Sequence, residues 1–135
     1  MNLSIVIVNY RTFELTRDTI NSVLEYAYPF NYEIIVVDNA SGDDSLMKLQ
    51  DYFKDKVKFI ESKENKGFAA GNNLALRQIK SDYVLLLNSD TVVWENTLES
   101  VYSYMEEHTD VGACGCRVRL ESGELDKACK RTFPN

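Results

Sequence analysis

The chain reads as an α/β protein, a three-layer α/β/α sandwich built on a mainly parallel sheet. Four short apolar runs, residues 3–10, 32–37, 57–60 and 83–87, stop at polar residues, and stretches of helical spacing separate them. Strand and helix alternate almost without exception, as in βαβ units joined by right-handed crossovers. At 135 residues, 44% apolar and 27% charged, the chain is long enough for one domain with its own core.

The first strand, Leu3 to Tyr10, ends at Asn9-Tyr10-Arg11. Residues 12–26 follow as a helix with Leu15, Thr19, Val23 and Tyr26 on one stripe. The second strand, Tyr32–Val37, stops at Asp38-Asn39, and Leu46, Leu49 and Phe53 give 43–53 helical spacing. Val57–Ile60 is a third strand, and Asn65–Asn73 opens a helix running to about Ile79. Tyr83–Leu87 reads as a strand buried on both faces, because five consecutive apolar residues lack the alternation of a half-exposed strand. A helix over about 95–107, a strand over 111–116 and a hairpin over 117–133, turning at Glu121-Ser122-Gly123-Glu124, complete the prediction.

The most informative residues are Asn88-Ser89-Asp90, directly after the fourth strand. In open α/β sheets the carboxyl ends of the strands face the ligand crevice, where an Asp beside an Asn and a Ser can offer oxygens to a hard cation and to a sugar hydroxyl. Alone, such a triplet reads first as a plain polar turn.

Composition and missing motifs exclude several classes. With a net charge of −6 and 15 scattered Lys and Arg, the chain lacks the basic face that nucleic-acid binding needs. Gly67 and Gly71 are spaced Gly-x-x-x-Gly, not G-x-G-x-x-G, and no G-x-x-x-x-G-K-[ST] occurs, which disfavours dinucleotide oxidoreductases and P-loop NTPases. A phosphoacceptor receiver domain needs an acidic pair after the first strand, where Asn9-Tyr10-Arg11 stands. Cys114, Cys116 and Cys129 with His108 fall short of a four-ligand zinc set, so the cysteines read as reduced thiols packed in the core and His108 as a helix-end residue. Met1-Asn2 lacks a basic leader and no apolar run is long enough to span a bilayer, so a cytoplasmic protein is expected.

Asn9-Tyr10-Arg11, Val37-Asp38-Asn39-Ala40-Ser41-Gly42-Asp43, Asn65-Lys66-Gly67-Phe68-Ala69-Ala70-Gly71-Asn72-Asn73 and Asn88-Ser89-Asp90 together resemble the successive motifs of family 2 glycosyltransferases, in the family's order. Within the family the likeness is to its bacterial rhamnosyltransferase-like branch, and the segment from Gly123 to Pro134 is similar to one that follows the triplet. The resemblance implies a GT-A fold and transfer of a sugar, with inversion, from a UDP- or dTDP-sugar to a glycan or lipid-linked acceptor in cell-surface polysaccharide synthesis. It divides the single domain 1–135 into a nucleotide-binding core, 1–93, and the start of an acceptor-side region, 94–135.

The resemblance also gives each motif a role. Asp38 accepts the imide N–H of uracil or thymine, a donor that only an acceptor can match, unless it serves as a turn or cap residue. Asn9, Tyr10 and Arg11 line the other side of the base pocket, Tyr10 offering a ring face and Arg11 a cation near the pyrophosphate or a solvated helix start. Asn39 belongs to the same nucleotide-sugar set. Gly67, with Gly71 and Asn72 beyond it, lets backbone approach the nucleotide, or else permits tight helix–sheet packing. Asn88-Ser89-Asp90 stands where the family carries a D-x-D motif, with Asn in its first position. Asp90 is then the ligand of Mg²⁺ or Mn²⁺, while Asn88 and Ser89 bond ribose or donor sugar, so metal binding without nucleotide should be weak.

The general base that an inverting transferase requires is not identified, since the carboxylates after Asp90 read as solvated. The expectation is that the base lies outside this chain, which then acts alone as a poor transferase or as a nucleotide-sugar-binding module without turnover. A homodimer through the C-terminal hairpin and peripheral attachment of the whole enzyme to the inner face of the membrane are expected with it. A pure interaction domain would instead bind no nucleotide.

Overall fold

The computed structural model describes residues 1–127. They fall into two compact units, Met1–Trp94 and the part from Glu95 onward. In the first, β1 (Leu3–Asn9), α1 (Phe13–Leu24), β2 (Tyr32–Asp38), α2 (Ser45–Phe53), β3 (Lys58–Glu61), α3 (Phe68–Leu76) and β4 (Tyr83–Leu87) follow one another, a short 3₁₀ turn at Lys54–Lys56 leading into β3. The four strands pair in parallel in the order β3-β2-β1-β4.

That order places the helices. The chain steps one way from β1 through β2 to β3, then returns across both to reach β4 on the far side of β1. Right-handed crossovers therefore put α1 and α2 on one face and α3 on the other. Under α3, Val6, Val8, Ile35, Val37 and Ala75 form a buried cluster flanked by Ile60, Leu74 and Ile79. By alternation Ile5, Ile7, Ile34 and Val36 point to the opposite face, and they are fully or almost fully buried, as are Ile20 and Val23 of α1 and Leu49 and Phe53 of α2. Each such side chain contributes about 1.5–3 kcal/mol by leaving water.

Three expectations need correction in this unit. β4 is an edge strand with one open face: Val84 and Leu86 are 39% and 47% exposed. Register pairs them with Ser4 and Val6, on the face that α3 covers, but α3 packs over β1 and β2 and does not reach that far. The helix α1 buries Thr16, Thr19, Ile20, Ser22 and Val23 while Leu15 is exposed, so its inner stripe includes hydroxyls whose partners lie on other segments. α3 ends at Leu76, short of Ile79, where the amide of Gln78 donates to Ala75 O instead of continuing the helix.

Gly71 is a packing glycine. A Cβ there would lie 3.1 and 3.3 Å from the two methyls of Val8 and 3.7 Å from Cγ of Asn39. The close approach is thus between α3 and the ends of β1 and β2, the helix–sheet alternative of the sequence reading. Gly71→Val is expected to cost about 1–3 kcal/mol by overpacking. Urea denaturation checks this, and an unchanged midpoint would mean that α3 can shift freely.

In the second unit α4 spans Thr97–Glu107, and His108, its C-cap, places Nδ1 2.8 Å from Tyr104 O and stacks on the Tyr104 ring. The strand expected over 111–116 does not form, because Gly112 and Gly115 weaken an extended segment that finds no ladder partner among the described residues. Cys114 and Cys116 are exposed free thiols, not core fillers. The hairpin is present at its tip: Arg119 bridges antiparallel to Leu125, and Gly123 turns the chain at φ 86°. The far end of its second arm, with Cys129, lies outside the described residues.

Candidate functional site

Strand register brings three of the four motifs to one edge of the sheet. Asn9 pairs with Asp38, and Ile7 with Leu87, so Tyr10–Arg11, Asp38–Asn39 and Asn88–Asp90 emerge at nearly the same height. β1 and β4 flank the point where chain order reverses, the position at which α/β sheets open a crevice. The fourth motif supplies α3, whose first turn packs beside the ends of β1 and β2.

Beneath this edge lies a buried polar network. Asn9 is fully buried, and its Nδ2 donates to Asp38 Oδ1 (2.7 Å), Ser45 Oγ (3.1 Å) and, more weakly, Ser41 Oγ (3.3 Å). Its Oδ1 accepts from the hydroxyls of Thr12 and Thr16. Asp38 is 3% exposed: Oδ1 also accepts from Ser41 Oγ at 2.6 Å, and Oδ2 accepts from the Ser41 amide at 3.0 Å. Asn9 and Asp38 face inward, where their bonds hold the β2–α2 loop against the end of β1, and Asp38 Oδ2 keeps an acceptor position beyond the Ser41 amide.

Ser41 joins that network to Arg11. The Arg11 amide donates to Ser41 Oγ at 3.0 Å, and its Nε donates to the Ser41 carbonyl at 2.7 Å. The guanidinium also lies 5.1 Å from the centroid of the Tyr10 ring, fixed at the surface with its charge available. Arg11 adopts φ 57°, which an L-residue takes only when its surroundings require it. Hydrogen bonds from the side chain and amide of Ser45 lower the pKa of Asp43, helped by the charge of Arg11. In the sequence Ser41 stands out only as a member of the Val37–Asp43 motif. The spacing Asp38-x-x-Ser41 was the available signal, since a carboxylate that bonds the amide three residues on closes a local turn.

On the other side of Asp38, Asn39 is buried, and its Nδ2 donates to Asn65 Oδ1 (2.9 Å) and Gly67 O (3.3 Å). Asn65, also unremarked as a single residue, accepts from the Gly67 amide as well. Gly67 sits at φ 88° and starts α3, whose first turn has no side-chain cap. A cleft of about 350 Å³ opens here, lined by Asn39, Ser62, Lys63, Lys66 and Leu74. It lies toward β3, so it is at most one wing of a site that also includes β4.

Asn88, Ser89 and Asp90 occupy an exposed turn. The following segment is tied to α1: Thr19 Oγ1 donates to Thr91 O at 2.7 Å, and the Val93 amide donates to Ser22 Oγ at 2.9 Å. These bonds explain the buried hydroxyls of α1 and fix the triplet's position. Among the described residues no cluster of three His, Cys, Asp or Glu forms a protein-only metal site. Asp90 fits a cation that is held jointly with a ligand's phosphates.

A parallel sheet with helices on both faces and a polar crevice at its carboxyl edge defines an open α/β class with its site at a topological switch point. The model of glycosyl transferase family 2 matches residues 4–131, and the chain belongs to that family. Poly(ribitol-phosphate) β-N-acetylglucosaminyltransferase TarP of Staphylococcus aureus is 31% identical over 109 residues, covering 78% of this chain and 33% of TarP. Poly-β-1,6-N-acetyl-D-glucosamine synthase of Staphylococcus epidermidis is 29% identical over 128 residues, covering 93% and 31%. The chain thus spans about a third of the length of these curated relatives. Among solved structures, residues 1–349 of S. aureus TarS superpose with a TM-score of 0.69 at 25% identity, over 81% of this chain and 33% of that one. The fold is GT-A.

Proposed function

We propose that this chain holds the donor of a sugar transfer, a UDP- or dTDP-linked sugar, in the crevice at the ends of β1, β2 and β4. The observation that carries the reading is the register that brings Arg11, Asn39 and Asp90 to one edge of the sheet. Tyr10 is half exposed beside Arg11 and offers a flat face for a base, while the guanidinium and the uncapped start of α3 offer positive charge to a diphosphate. Asn88 and Ser89 bond ribose or sugar hydroxyls. Asp90 holds Mg²⁺ or Mn²⁺ together with the donor's phosphates, and the cation, when bound, neutralises charge that develops on the departing nucleoside diphosphate.

TarS has been described in complex with UDP-GlcNAc, which favours the uridine donor, and a mannosyltransferase of Pyrobaculum calidifontis in complex with GDP-Man and Mn²⁺, which favours the cation but carries a purine donor. The relatives' names concern surface polymers, which favours a glycan or lipid-linked acceptor and a role in cell-surface polysaccharide synthesis. Inversion, a site of action at the cytoplasmic face of the membrane and self-association belong to the same proposal. The rhamnosyltransferase-like motifs make a dTDP-linked deoxysugar a donor to try beside UDP-GlcNAc.

Calorimetric titration with UDP, dTDP, GDP and ADP, with and without Mn²⁺, tests the donor class. UDP or dTDP is expected to bind at least about tenfold more tightly than either purine nucleotide, a difference of about 1.4 kcal/mol. Equal affinity for UDP and GDP would remove the pyrimidine assignment, and no binding of any nucleotide would remove the donor reading.

A further inference from the structure

β4 ends the sheet, and nothing in its sequence guards that edge. Among the described residues β1 pairs with it on one side and no strand pairs with it on the other. The amide of Tyr83 donates to Asn2 O at 3.0 Å, so in this parallel ladder the backbone groups of Tyr83, Leu85 and Leu87 face β1 and those of Val84 and Leu86 face outward. Edge strands are commonly protected by a Lys, a Pro or a bulge. Tyr-Val-Leu-Leu-Leu carries none of these.

The open face beside the edge is apolar as well. Val84 and Leu86 are half exposed on it. At 100° per residue Phe68 and Leu76 share the flank of α3 opposite Ala70 and Leu74, which line the cleft toward β3, so these two exposed side chains lie on the side of β4. Strand edge and apolar trough are therefore continuous, a surface suited to an added strand that brings apolar side chains of its own.

The same strand turned end for end fits it. With a two-fold axis through Leu85, Val84 of one copy stands opposite Leu86 of the other, and the pair exchanges N–H···O bonds through the groups that face outward. Symmetry repeats that pair, so the apolar side chains of both copies meet on the α3 face. Continued past the strand, this register sets Asp82 against Asn88 and Lys80 against Asp90, opposite charges at both ends. The neighbouring registers are worse. Those that keep the same faces together set Asp82 against Asp90 in one direction and against Leu86 in the other.

We propose that β4 is the docking edge for a second copy of this chain, the two strands pairing antiparallel about Leu85 into one continuous sheet. This gives self-association a surface other than the hairpin, and it goes beyond the donor reading without resting on it.

The test is mass by light scattering across a concentration series, without nucleotide, for the wild type, Val84→Glu, Leu86→Lys and the two variants mixed. The wild type should pass reversibly from monomer to dimer. Each variant alone should raise the dissociation constant at least about tenfold, since its substitution acts twice in a symmetric pair. Both side chains are half exposed, so the urea midpoint should stay close to that of the wild type. Mixed, the variants should associate again, because the register sets the new carboxylate of one chain against the new ammonium of the other. A wild type that stays monomeric at every concentration overturns the proposal. So does a dimer that survives Leu86→Lys, which another surface such as the hairpin would then hold, and so does a mixture no more associated than its parts.

Discussion

Asp38→Ala is expected to lower the unfolding free energy by about 3–5 kcal/mol, the scale set by breaking a buried charged network. Its carboxylate accepts from Asn9 Nδ2, Ser41 Oγ and the Ser41 amide, all in buried surroundings. Removing it leaves the Ser41 hydroxyl and amide without their acceptor, each at a cost of about 1–3 kcal/mol unless water reaches them, while Asn9 Nδ2 keeps Ser45 Oγ. A domain of this size has only about 5–15 kcal/mol to lose. Asp38→Asn is the companion variant. It keeps the shape but turns an NH₂ toward groups that are themselves donors, so it should recover little of the loss. Urea denaturation of the three proteins reads the effect directly. A loss below about 1 kcal/mol for Asp38→Ala would show that the network is dispensable and that the β2–α2 loop is held by other contacts. Where the loss is large, weaker nucleotide binding by the variant includes the effect of a displaced Arg11 and loop.

The sheet was legible in the sequence because each of its elements has a local signal. Apolar runs that stop at Asn9, Asp38 and Asn88 marked strand ends, and the ends of parallel strands are where sites form. What a local signal lacks is the neighbour. Five apolar residues at Tyr83–Leu87 look alike in the middle of a sheet and at its edge, and the strand order puts Val84 and Leu86 at the edge, half exposed among the described residues. Thr16 and Thr19 break the apolar stripe of α1 because their partners, Asn9 and Thr91, lie on other segments. Residues 111–116 alternate well enough to suggest a strand, but a strand is a pairing and no partner is present among the described residues. The site followed the same division. Which residues gather at the crevice could be read from motif order, whereas the direction each faces depended on bonds across loops. Asn9 and Asp38 turn inward, Arg11 and Asp90 outward.

Asp90→Asn should abolish the strengthening of UDP binding by Mn²⁺ while leaving the fold intact. Asp90 is exposed in the turn after β4, and no three-residue acidic or His/Cys cluster surrounds it among the described residues. One carboxylate with waters is a poor site for a hard cation, so Mn²⁺ alone should bind no more tightly than about 10⁻⁴–10⁻³ M, the range of weak all-oxygen sites. The diphosphate supplies the remaining charge and oxygens. Linkage then makes the effect reciprocal: whatever factor Mn²⁺ adds to UDP affinity, UDP adds to Mn²⁺ affinity, and both pass through Asp90. About tenfold or more is expected in the wild type, and a factor near one in Asp90→Asn, which keeps the shape and an oxygen but loses the charge. Stability should move by no more than about 0.5 kcal/mol, as for other exposed substitutions away from buried networks. This separates the variant from Asp38→Ala, whose binding defect would come with a lowered midpoint. Titrating UDP into both proteins at fixed Mn²⁺ and in chelator measures the two factors. Undiminished enhancement in Asp90→Asn would place the cation elsewhere on the donor or on another residue, and no enhancement in the wild type would remove the metal from the proposal altogether.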